Sequence, residues 1–328
     1  MGAGYFFLTG ETSGDAYAAS IIKALHEVDC DQPIAGIGGD AMQAAGIEPL
    51  ERMDAYAVMG VLPVLRRLPE FVRLGKRVEQ AIREHRPRVV VGIDYPGFNF
   101  RMYRRLADLR QQGLRIVHIV APQVWAWRPR RAKRMAQSVD RLLCFFPFEP
   151  PLFRRFDCRA DFVGHPLVDL VGEPARGADS RMLLLAPGGR GREVRDLLPI
   201  MIAAAELAQR WLGEEMQVVV SQAPGVPASA YAGCPFPCSR RPFRELCREA
   251  HVAIMASGTA CLEAALLGLP HVIAYRLDAV SGRMAAHLIH VPWVGLPNLV
   301  HGREICRELL QDRLTVPRLA AALAGSWP

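Results

Sequence analysis

Several features that would identify a function at once are missing from this sequence of 328 residues. No apolar run reaches the roughly 18 residues of a membrane-spanning helix, because Arg, Asp or Pro interrupts every candidate. The eight cysteines form no CxxC pair and have no histidine cluster beside them. This pattern disfavours a zinc site and a disulfide framework, and it favours reduced cytosolic thiols. The sequence also has no internal repeat and no low-complexity tract.

What is present is an ordinary globular composition with a positive excess. Hydrophobic residues make up 51% of the chain and charged residues 22%, which excludes wholesale disorder and allows two domains of about 150 residues each. Forty Lys and Arg against 33 Asp and Glu give a net charge of +7. Residues 1–168 hold 24 basic and 18 acidic residues, whereas residues 169–328 hold 16 and 15. The first half is therefore predicted to face an anionic partner, which could be nucleic acid, an anionic membrane surface or a phosphorylated substrate.

Short β-branched runs alternate with longer helical patterns, which is typical of α/β folds with parallel sheets. A polar stretch at 171–181 is predicted as a linker between domains 1–170 and 182–328. We expect two Rossmann-like domains that face each other across a cleft, with ligands at the carboxyl ends of the strands. The predicted strands are 5–8, 34–37, 89–93, 116–120, 142–145 and 159–163, then 182–185, 217–220, 252–255 and 271–274. The predicted helices are 16–28, 63–85, 99–112 and 129–138, then 193–212, 242–250 and 259–267.

Two turns of the first domain carry polar residues at strand ends. Gly10–Asp15 (GETSGD) follows the first strand, where two glycines allow a tight turn and helix amides suit an anion or sugar oxygens. This turn is not a GxGxxG motif, which disfavours a nicotinamide cofactor. Asp94 follows the strand 89–93, so we expect its carboxylate in the cleft as a general base toward a sugar hydroxyl. The alternatives are a plain capped turn and an Asp that caps the helix starting near Asn99.

Two segments of the first domain mix apolar and basic residues. Residues 56–77 hold more apolar positions than one buried helical stripe needs, and an apolar surface rimmed by arginine fits acyl chains at an anionic bilayer. Residues 122–134 interleave Trp125 and Trp127 with cations, as single-stranded nucleic-acid platforms and lipid interfaces do. Buried helices with a charged outer face are the alternative in both segments. The predicted acyl and membrane patch comprises Val61, Leu62, Leu65, Arg66, Arg67 and Phe71.

Two turns of the second domain join a strand end to a helix start. Pro187–Glu193 (PGGRGRE) offers successive glycine amides, and Arg190 can bind a phosphate through two hydrogen bonds. No Lys-Ser/Thr ending follows, so a P-loop ATPase is not indicated. Ser257 and Thr259 open the later helix, and Glu263 lies one turn on, where a carboxylate can accept hydrogen bonds from ribose hydroxyls. Plain strand-to-helix turns are the alternative.

These segments together resemble the lipid-A-disaccharide synthases, which are inverting glycosyltransferases of the two-Rossmann GT-B type. The resemblance spans nearly the whole chain in the family's order, and the ordered set is highly specific. The matching segments are GETSGD (10–15), AVMGVLPVL (57–65), VGIDYPGFN (91–99), PQVWAWR (122–128), PFE (147–149), VGHPL (163–167), PGGRGREV (187–194), ASGTACLE (256–263), AYR (274–276) and LPNLVHGRE…ELLQ (296–311).

The resemblance implies a reaction of lipid A and lipopolysaccharide biosynthesis. The donor would be UDP-2,3-diacylglucosamine, the acceptor 2,3-diacylglucosamine 1-phosphate, and the products a β-1,6-linked disaccharide 1-phosphate and UDP. An α-linked donor and a β product mean inversion, with Asp94 as the one base. No metal and no cofactor are expected, because cationic side chains and helix dipoles stabilise the charge. The resemblance assigns UDP binding to Arg190, Ser257, Thr259, Glu263 and Asn298, and the opposite wall of the cleft to Glu11, Ser13 and Asp15.

The resemblance also implies a cytoplasmic enzyme that is peripherally associated with the inner membrane and has no nucleic-acid partner. Gly189 stands where the family usually has Ser in PGSR, so backbone amides would replace one phosphate-facing hydroxyl. The family normally continues beyond Pro328, with helices that pack back on the first domain and can exchange between subunits. We therefore expect the last residues to pack on the first domain, and a homodimer is one expected assembly.

Three other functions stay open at this point. Another GT-B enzyme that uses a UDP-sugar, either a glycosyltransferase or a UDP-N-acetylglucosamine epimerase, would share the nucleotide features but would not need the apolar segment 56–77. A catalytically silent UDP- or lipid-binding homologue would keep the site without turnover. A nucleic-acid binder would hold single strands in a salt-dependent manner, and UDP would not compete.

Overall fold

The computed structural model describes residues 4–29, 31–47, 49–52, 68–122, 129–174, 181–213, 216–276 and 292–327. The chain divides into two compact units, Met1–Pro166 and Leu167–Pro328. The division lies ahead of the linker predicted at 171–181, and residues 175–180 lie outside the described part. No helix among the described residues is long and apolar enough to cross a bilayer.

The described strands of the first unit form one parallel sheet in the order β3-β2-β1-β4-β5-β6-β7. The strands are β1 (Tyr5–Leu8), β2 (Ile34–Gly38), β3 (Glu51–Arg52), β4 (Val89–Ile93), β5 (Arg115–Ile119), β6 (Arg141–Cys144) and β7 (Ala160–Phe162). The helices are α1 (Thr12–Val28), α2 (Asp40–Ala44), α3 (Leu68–His85), α4 (Pro96–Arg105), α5 (Ala107–Gln111), α6 (Pro129–Ala136) and α7 (Glu149–Arg154).

The central strands of this sheet are apolar along their whole length because helices cover both faces. Phe6 and Leu8 of β1 belong to one buried cluster, which includes Ile82 of α3. Phe7 belongs to a second cluster on the opposite face, which includes Ile22 of α1. Successive side chains of a strand point to opposite faces, so both layers of helices are held by the same four residues.

The second unit repeats this arrangement in a sheet ordered β10-β9-β8-β11-β12-β13. Its strands are β8 (Met182–Ala186), β9 (Gln217–Ser221), β10 (Cys238–Ser239), β11 (Val252–Ala256), β12 (His271–Tyr275) and β13 (Glu308–Leu310). Its helices are α8 (Leu167–Val171), α9 (Gly191–Leu212), α10 (Phe243–Glu249), α11 (Thr259–Leu266), α12 (Leu296–His301) and α13 (Val316–Ala324), with 3-10 turns at Ala228–Tyr231 and Gln311–Arg313.

The last described residues complete the core of the second unit. Leu319 and Leu323 of α13 are fully buried in the same cluster as Val194 and Met201 of α9. The ring of Trp327 lies 5.4 Å from that of His251 at the start of β11. The apolar face of residues 316–327 is thus covered within their own unit, and packing of the last residues on the first domain stays a prediction.

A buried histidine lies in the middle of the first sheet. His118 on β5 is fully buried, and its Nδ1 is 2.9 Å from the hydroxyl of Tyr103 on α4. Its Nε2 has no hydrogen-bond partner among the described residues. A protonated ring would be a charge without solvent, and burial lowers the pKa of His118 to about 3. The neighbouring residue Gly92 leaves room for the Tyr103 hydroxyl, because a Cβ at position 92 would collide with it.

This histidine predicts acid lability of the first unit. In the unfolded chain His118 takes up a proton near pH 6.5, whereas the folded chain resists it down to about pH 3. Stability is therefore lost as the pH falls through this window, by about 2 kcal/mol between pH 7 and pH 5 from this residue. Urea unfolding at both pH values should show this loss in the parent and in His26→Gln, whose histidine is exposed, but not in His118→Gln. An equal pH dependence in all three proteins would contradict the assignment.

Candidate functional site

The topology of each sheet defines where a ligand can bind. In both units the order of strands reverses at the two central strands, β1 and β4 in the first unit and β8 and β11 in the second. The connections after these strands run to opposite faces of the sheet and leave a crevice at the carboxyl edge. The turns after β1, β4, β8 and β11 are the four that the sequence singled out.

Asp94 lies directly after β4 in a constrained backbone. Its amide still donates to the carbonyl of Ile119 at 2.9 Å, so the residue is attached to the sheet. Asp94 and Tyr95 both adopt left-handed backbone conformations, with φ of 48° and 47°. A left-handed conformation costs a residue with a side chain roughly 1–2 kcal/mol of folding free energy. The buried Asn99 offsets part of this cost, because its Nδ2 donates to the Asp94 carbonyl at 2.7 Å.

The carboxylate of Asp94 has the environment of a proton acceptor. Burial raises its pKa above the ordinary value, and a backbone hydrogen bond from Tyr95 partly opposes this. No cation among the described residues forms an ion pair with it. Its charge in turn raises the pKa of Tyr17, after the larger effect of burial, so the phenol lies close by. A half-buried carboxylate with a raised pKa and no ion-pair partner among the described residues is suited to act as a general base.

The three site residues predicted after β1 differ in exposure. Glu11 and Ser13 are exposed, and the charge of Glu11 contributes, after burial, to the raised pKa of Tyr95. Asp15 is buried instead and accepts hydrogen bonds from the amides of Gly39 at 2.7 Å and Ala41 at 2.8 Å. Its carboxylate therefore caps the N-terminus of α2, and the place of Asp15 in the cleft wall stays a prediction.

An aromatic group extends from this crevice along the carboxyl edge of the first sheet. Phe145, just after β6, packs edge-on against Tyr17 at 5.2 Å and lies 5.2 Å from the ring of His165. Phe146 lies 5.4 Å from the same ring. Burial lowers the pKa of His165 and so favours its neutral form. Sequence reasoning gave no role to these residues, although VGHPL was among the resembling segments.

The glycine-rich turn after β8 presents an arginine at the start of the 22-residue helix α9. The side chain of Arg190 is 67% exposed and lies 3.5 Å from Glu193. The Glu193 carboxylate also accepts a hydrogen bond from the amide of Gly189 at 3.0 Å, as in a capping box. Gly188 has a φ of +123°, and a Cβ there would collide with Glu193. One predicted anion-binding amide is thus already bonded within the chain, and Glu193 has a capping role that the motif alone did not indicate.

The turn after β11 combines exposed and paired groups. Thr259 is exposed at the start of α11, and the hydroxyl of Ser257 lies 3.5 Å from the carbonyl of Val294. Glu263 forms a close ion pair with Arg244 of α10, and Arg244 also donates to the carbonyl of Leu170 at 3.0 Å. Thr259 is therefore accessible to a ligand, whereas the half-buried Ser257 donates a long hydrogen bond to Val294 and Glu263 already holds a cation.

Asn298 is a scaffold residue rather than a surface group. It is fully buried, and its Nδ2 donates to the carbonyl of Cys306 and to Glu308, both at 2.7 Å. Its Oδ1 accepts from the amides of Ile305 and Cys306. Glu308 in turn accepts from the amides of Val294 and Gly295, both at 2.9 Å. The side-chain amide of Asn298 is thus used in holding the backbone beside Ser257, and a contact of this residue with UDP stays a prediction.

Most of the predicted membrane patch lies outside the described residues, namely Val61, Leu62, Leu65, Arg66 and Arg67. Phe71 is half-buried on α3, next to Val72, which is 44% exposed. The seven cysteines in the described part are free thiols. No group of three or more His, Cys, Asp or Glu within the same part could hold a metal ion.

Comparisons with solved structures agree with the two sheets. MurG of Acinetobacter baumannii matches with a TM-score of 0.56 at 12% identity, over 99% of this chain and 91% of that one. The UDP-GlcNAc 2-epimerase of Methanocaldococcus jannaschii, in complex with UDP-GlcNAc and UDP, matches with a TM-score of 0.58 at 12% identity, over 98% and 92%. These similarities show the fold alone, which consists of two Rossmann-like domains of the GT-B type.

Comparisons of sequence are more specific. The lipid-A-disaccharide synthase of Alcanivorax borkumensis is 37% identical over 343 residues, which cover 96% of this chain and 86% of that protein. A family model for lipid-A-disaccharide synthetase matches residues 5–326. The order of motifs, the two parallel sheets and this match over nearly the full length lead to one conclusion: the chain belongs to the lipid-A-disaccharide synthetase family.

Proposed function

We propose that this chain transfers a 2,3-diacylglucosaminyl group from UDP to the 6-hydroxyl of 2,3-diacylglucosamine 1-phosphate. Family membership makes the chain a glycosyltransferase with a UDP-sugar and a lipid as substrates. The observation that carries the mechanism is the carboxylate of Asp94, which has a raised pKa and no ion-pair partner among the described residues at the switch point of the first sheet. Such a group can deprotonate a sugar hydroxyl without a metal.

The proposed reaction is one in-line displacement. The proton of the acceptor's 6-hydroxyl passes to the Asp94 carboxylate while the oxygen forms a bond to C1 of the donor sugar. The bond from C1 to the β-phosphate oxygen breaks, and its electron pair leaves with UDP. Because attack and departure occur on opposite faces, an α-linked donor gives a β-linked product. Glu11 and Ser13, which are exposed after β1, would orient the acceptor.

The second unit would hold the nucleotide. Arg190 stands at the N-terminus of α9, where its charge and the helix dipole both stabilise the developing pyrophosphate. Ser257 and Thr259 would contribute hydroxyls at the start of α11. Glu263 would accept hydrogen bonds from the ribose while Arg244 holds its other oxygen in place. Phosphate binding would compete with Glu193 for Arg190 and for the Gly189 amide.

The membrane and the assembly belong to the same proposal. Both sugars carry acyl chains, so the enzyme would work at the cytoplasmic surface of the inner membrane, with the 61–71 patch in contact with lipid. A homodimer is the proposed assembly.

Product analysis tests the function. The purified chain should convert the two diacylated sugars into equal amounts of disaccharide 1-phosphate and UDP, measured by mass spectrometry. Conversion of UDP-GlcNAc into its C2 epimer, or UDP binding without turnover, would support one of the alternative functions instead.

Removal of the base should slow the chemical step. Asp94→Asn keeps the shape of the side chain but cannot accept the proton, so we expect kcat to fall about 10²–10⁴-fold while UDP affinity stays unchanged. Asp31→Asn removes an exposed carboxylate of the same unit and should behave like the parent. Parent-like turnover of Asp94→Asn would exclude Asp94 as the base.

The raised pKa of Asp94 predicts the acid limb of the pH profile. The ionised form is the active one, so activity is present above this pKa and is lost as the pH falls through it. The midpoint of kcat/KM against pH should therefore lie above about 4, the ordinary value for an aspartate. A limb at or below that value would contradict the environment described for this carboxylate.

Removal of the phosphate-binding cation should weaken UDP binding. Arg190→Ala deletes a charge-assisted hydrogen bond, for which we expect an increase of about 10–100-fold in the Kd of UDP, measured by calorimetry. Arg192→Ala is the matched control, because Arg192 is similarly exposed on the same helix and pairs with Asp196. Equal affinities in the two variants would remove Arg190 from the phosphate site.

Membrane attachment through the patch can be tested separately. Leu62→Ser combined with Leu65→Ser should reduce co-sedimentation with neutral phosphatidylcholine vesicles, because two apolar side chains no longer enter the bilayer. Undiminished binding of this variant would mean that the two leucines belong to the core.

A further inference from the structure

A groove on the side of the first unit combines positive charge with an apolar lining. It has a volume of about 500 Å³ and runs along α4 and α5, with α6 and the residues just after it on the other side. Four arginines line it, namely Arg101, Arg104, Arg110 and Arg134, and no carboxylate is among its lining residues. We name this feature the α4–α6 groove.

Most of the groove arginines differ from other arginines of the same unit in having no ion-pair partner among the described residues. Arg83 is paired with Asp108 at 2.7 Å, and Arg141 with Asp161 at 2.7 Å. In the groove, Arg110 is paired with Asp140 at 3.0 Å. The remaining three groove arginines form no ion pair with any described residue. Three guanidinium groups that line one groove without an ion-pair partner among the described residues create a local positive potential, which an anionic ligand would relieve.

The local sequence adds to this charge. Residues 96–138, which contain all three helices of the groove, hold ten Arg and Lys against the single Asp108. This stretch therefore carries +9, whereas the whole chain carries +7, so the other residues sum to −2. The positive excess of the first half is concentrated in the elements that form the groove.

The apolar lining favours a lipid headgroup over nucleic acid. Phe100, Ala107 and Met135 line the groove together with the arginines. The ring of Phe100 packs against His118 at 4.9 Å and against Tyr103 at 5.2 Å, so it is committed to the core and not presented for stacking on a base. A phospholipid headgroup carries phosphate oxygens next to methylene groups. The oxygens can bind guanidinium groups, and the methylene groups can contact the apolar lining.

We propose that the α4–α6 groove binds the headgroup phosphates of anionic phospholipids, and that it places this side of the first unit against an anionic bilayer. The inference rests on the proposed function, in which the substrates are lipids. The groove differs from the 61–71 patch in its ligand: the groove would bind charged headgroups, whereas the patch would contact the apolar interior of the bilayer.

Vesicle partitioning of the full chain tests the proposal. The groove variant carries Arg101→Gln, Arg104→Gln and Arg134→Gln, and the control carries Lys23→Gln, Arg155→Gln and Arg159→Gln, which removes the same charge from exposed positions of the same unit. Each basic residue at an anionic surface contributes about fivefold in partitioning, so the groove variant should bind phosphatidylglycerol-containing vesicles roughly a hundredfold less tightly. The control should lose far less, and both should bind neutral vesicles like the parent.

Several outcomes would overturn the proposal. Equal losses in the two variants would mean that only total charge matters. Displacement from vesicles by millimolar inorganic phosphate would indicate a site for a single soluble anion. Loss of turnover by the groove variant in neutral detergent micelles, with unchanged circular dichroism, would place the groove in the active site. If the parent itself shows no turnover, the proposed function fails, whereas the vesicle comparison still decides the role of the groove.

Discussion

The reversal of strand order at the centre of each parallel sheet is the constraint on which the proposed chemistry depends. It opens the carboxyl edge between β1 and β4 and again between β8 and β11. Turns at these positions can expose amides and short polar side chains without leaving them in the core. The first sheet uses its opening to hold a carboxylate, and the second uses its opening to present a cation and two helix N-termini. One fold, used twice, thereby supports two different electrostatic environments.

Buried polar groups keep these openings in shape. Asp15 ties the turn after β1 to the start of α2, and Asn99 holds the left-handed backbone at Asp94. Asn298 and Glu308 do the same beside the turn after β11. Asp15, Asn298 and Glu308 all form several hydrogen bonds inside their own unit, whereas Asn99 uses its Nδ2 and its buried Oδ1 has no partner among the described residues. A buried polar group is costly unless it is satisfied, so such residues are under a structural constraint as strict as that on a ligand-binding residue.

The sequence allowed much of the fold to be predicted, because buried parallel strands are continuous apolar runs with few alternative structures. The ten predicted strands all occur, whereas the short edge strands β3, β10 and β13 were missed, since two or three residues carry no periodic signal. The helix expected over 99–112 is divided at Leu106. The scaffold contacts of Asp15 and Asn298 could not be predicted, because residue type and position show hydrogen-bonding capacity, but not that backbone amides distant in sequence use it. Tyr17 and His165 could not be placed, because their closeness to the site arises from packing between separate elements.

The central claim is that the second unit alone carries the nucleotide site, at the turns after β8 and β11. Hydrogen exchange of the intact chain with and without UDP tests this claim most directly, because ligand binding slows the exchange of the amides it contacts. The account predicts UDP-dependent protection of the amides at 188–191 and 257–260. Protection confined to the first unit, at 10–15 or 94–99, would contradict it.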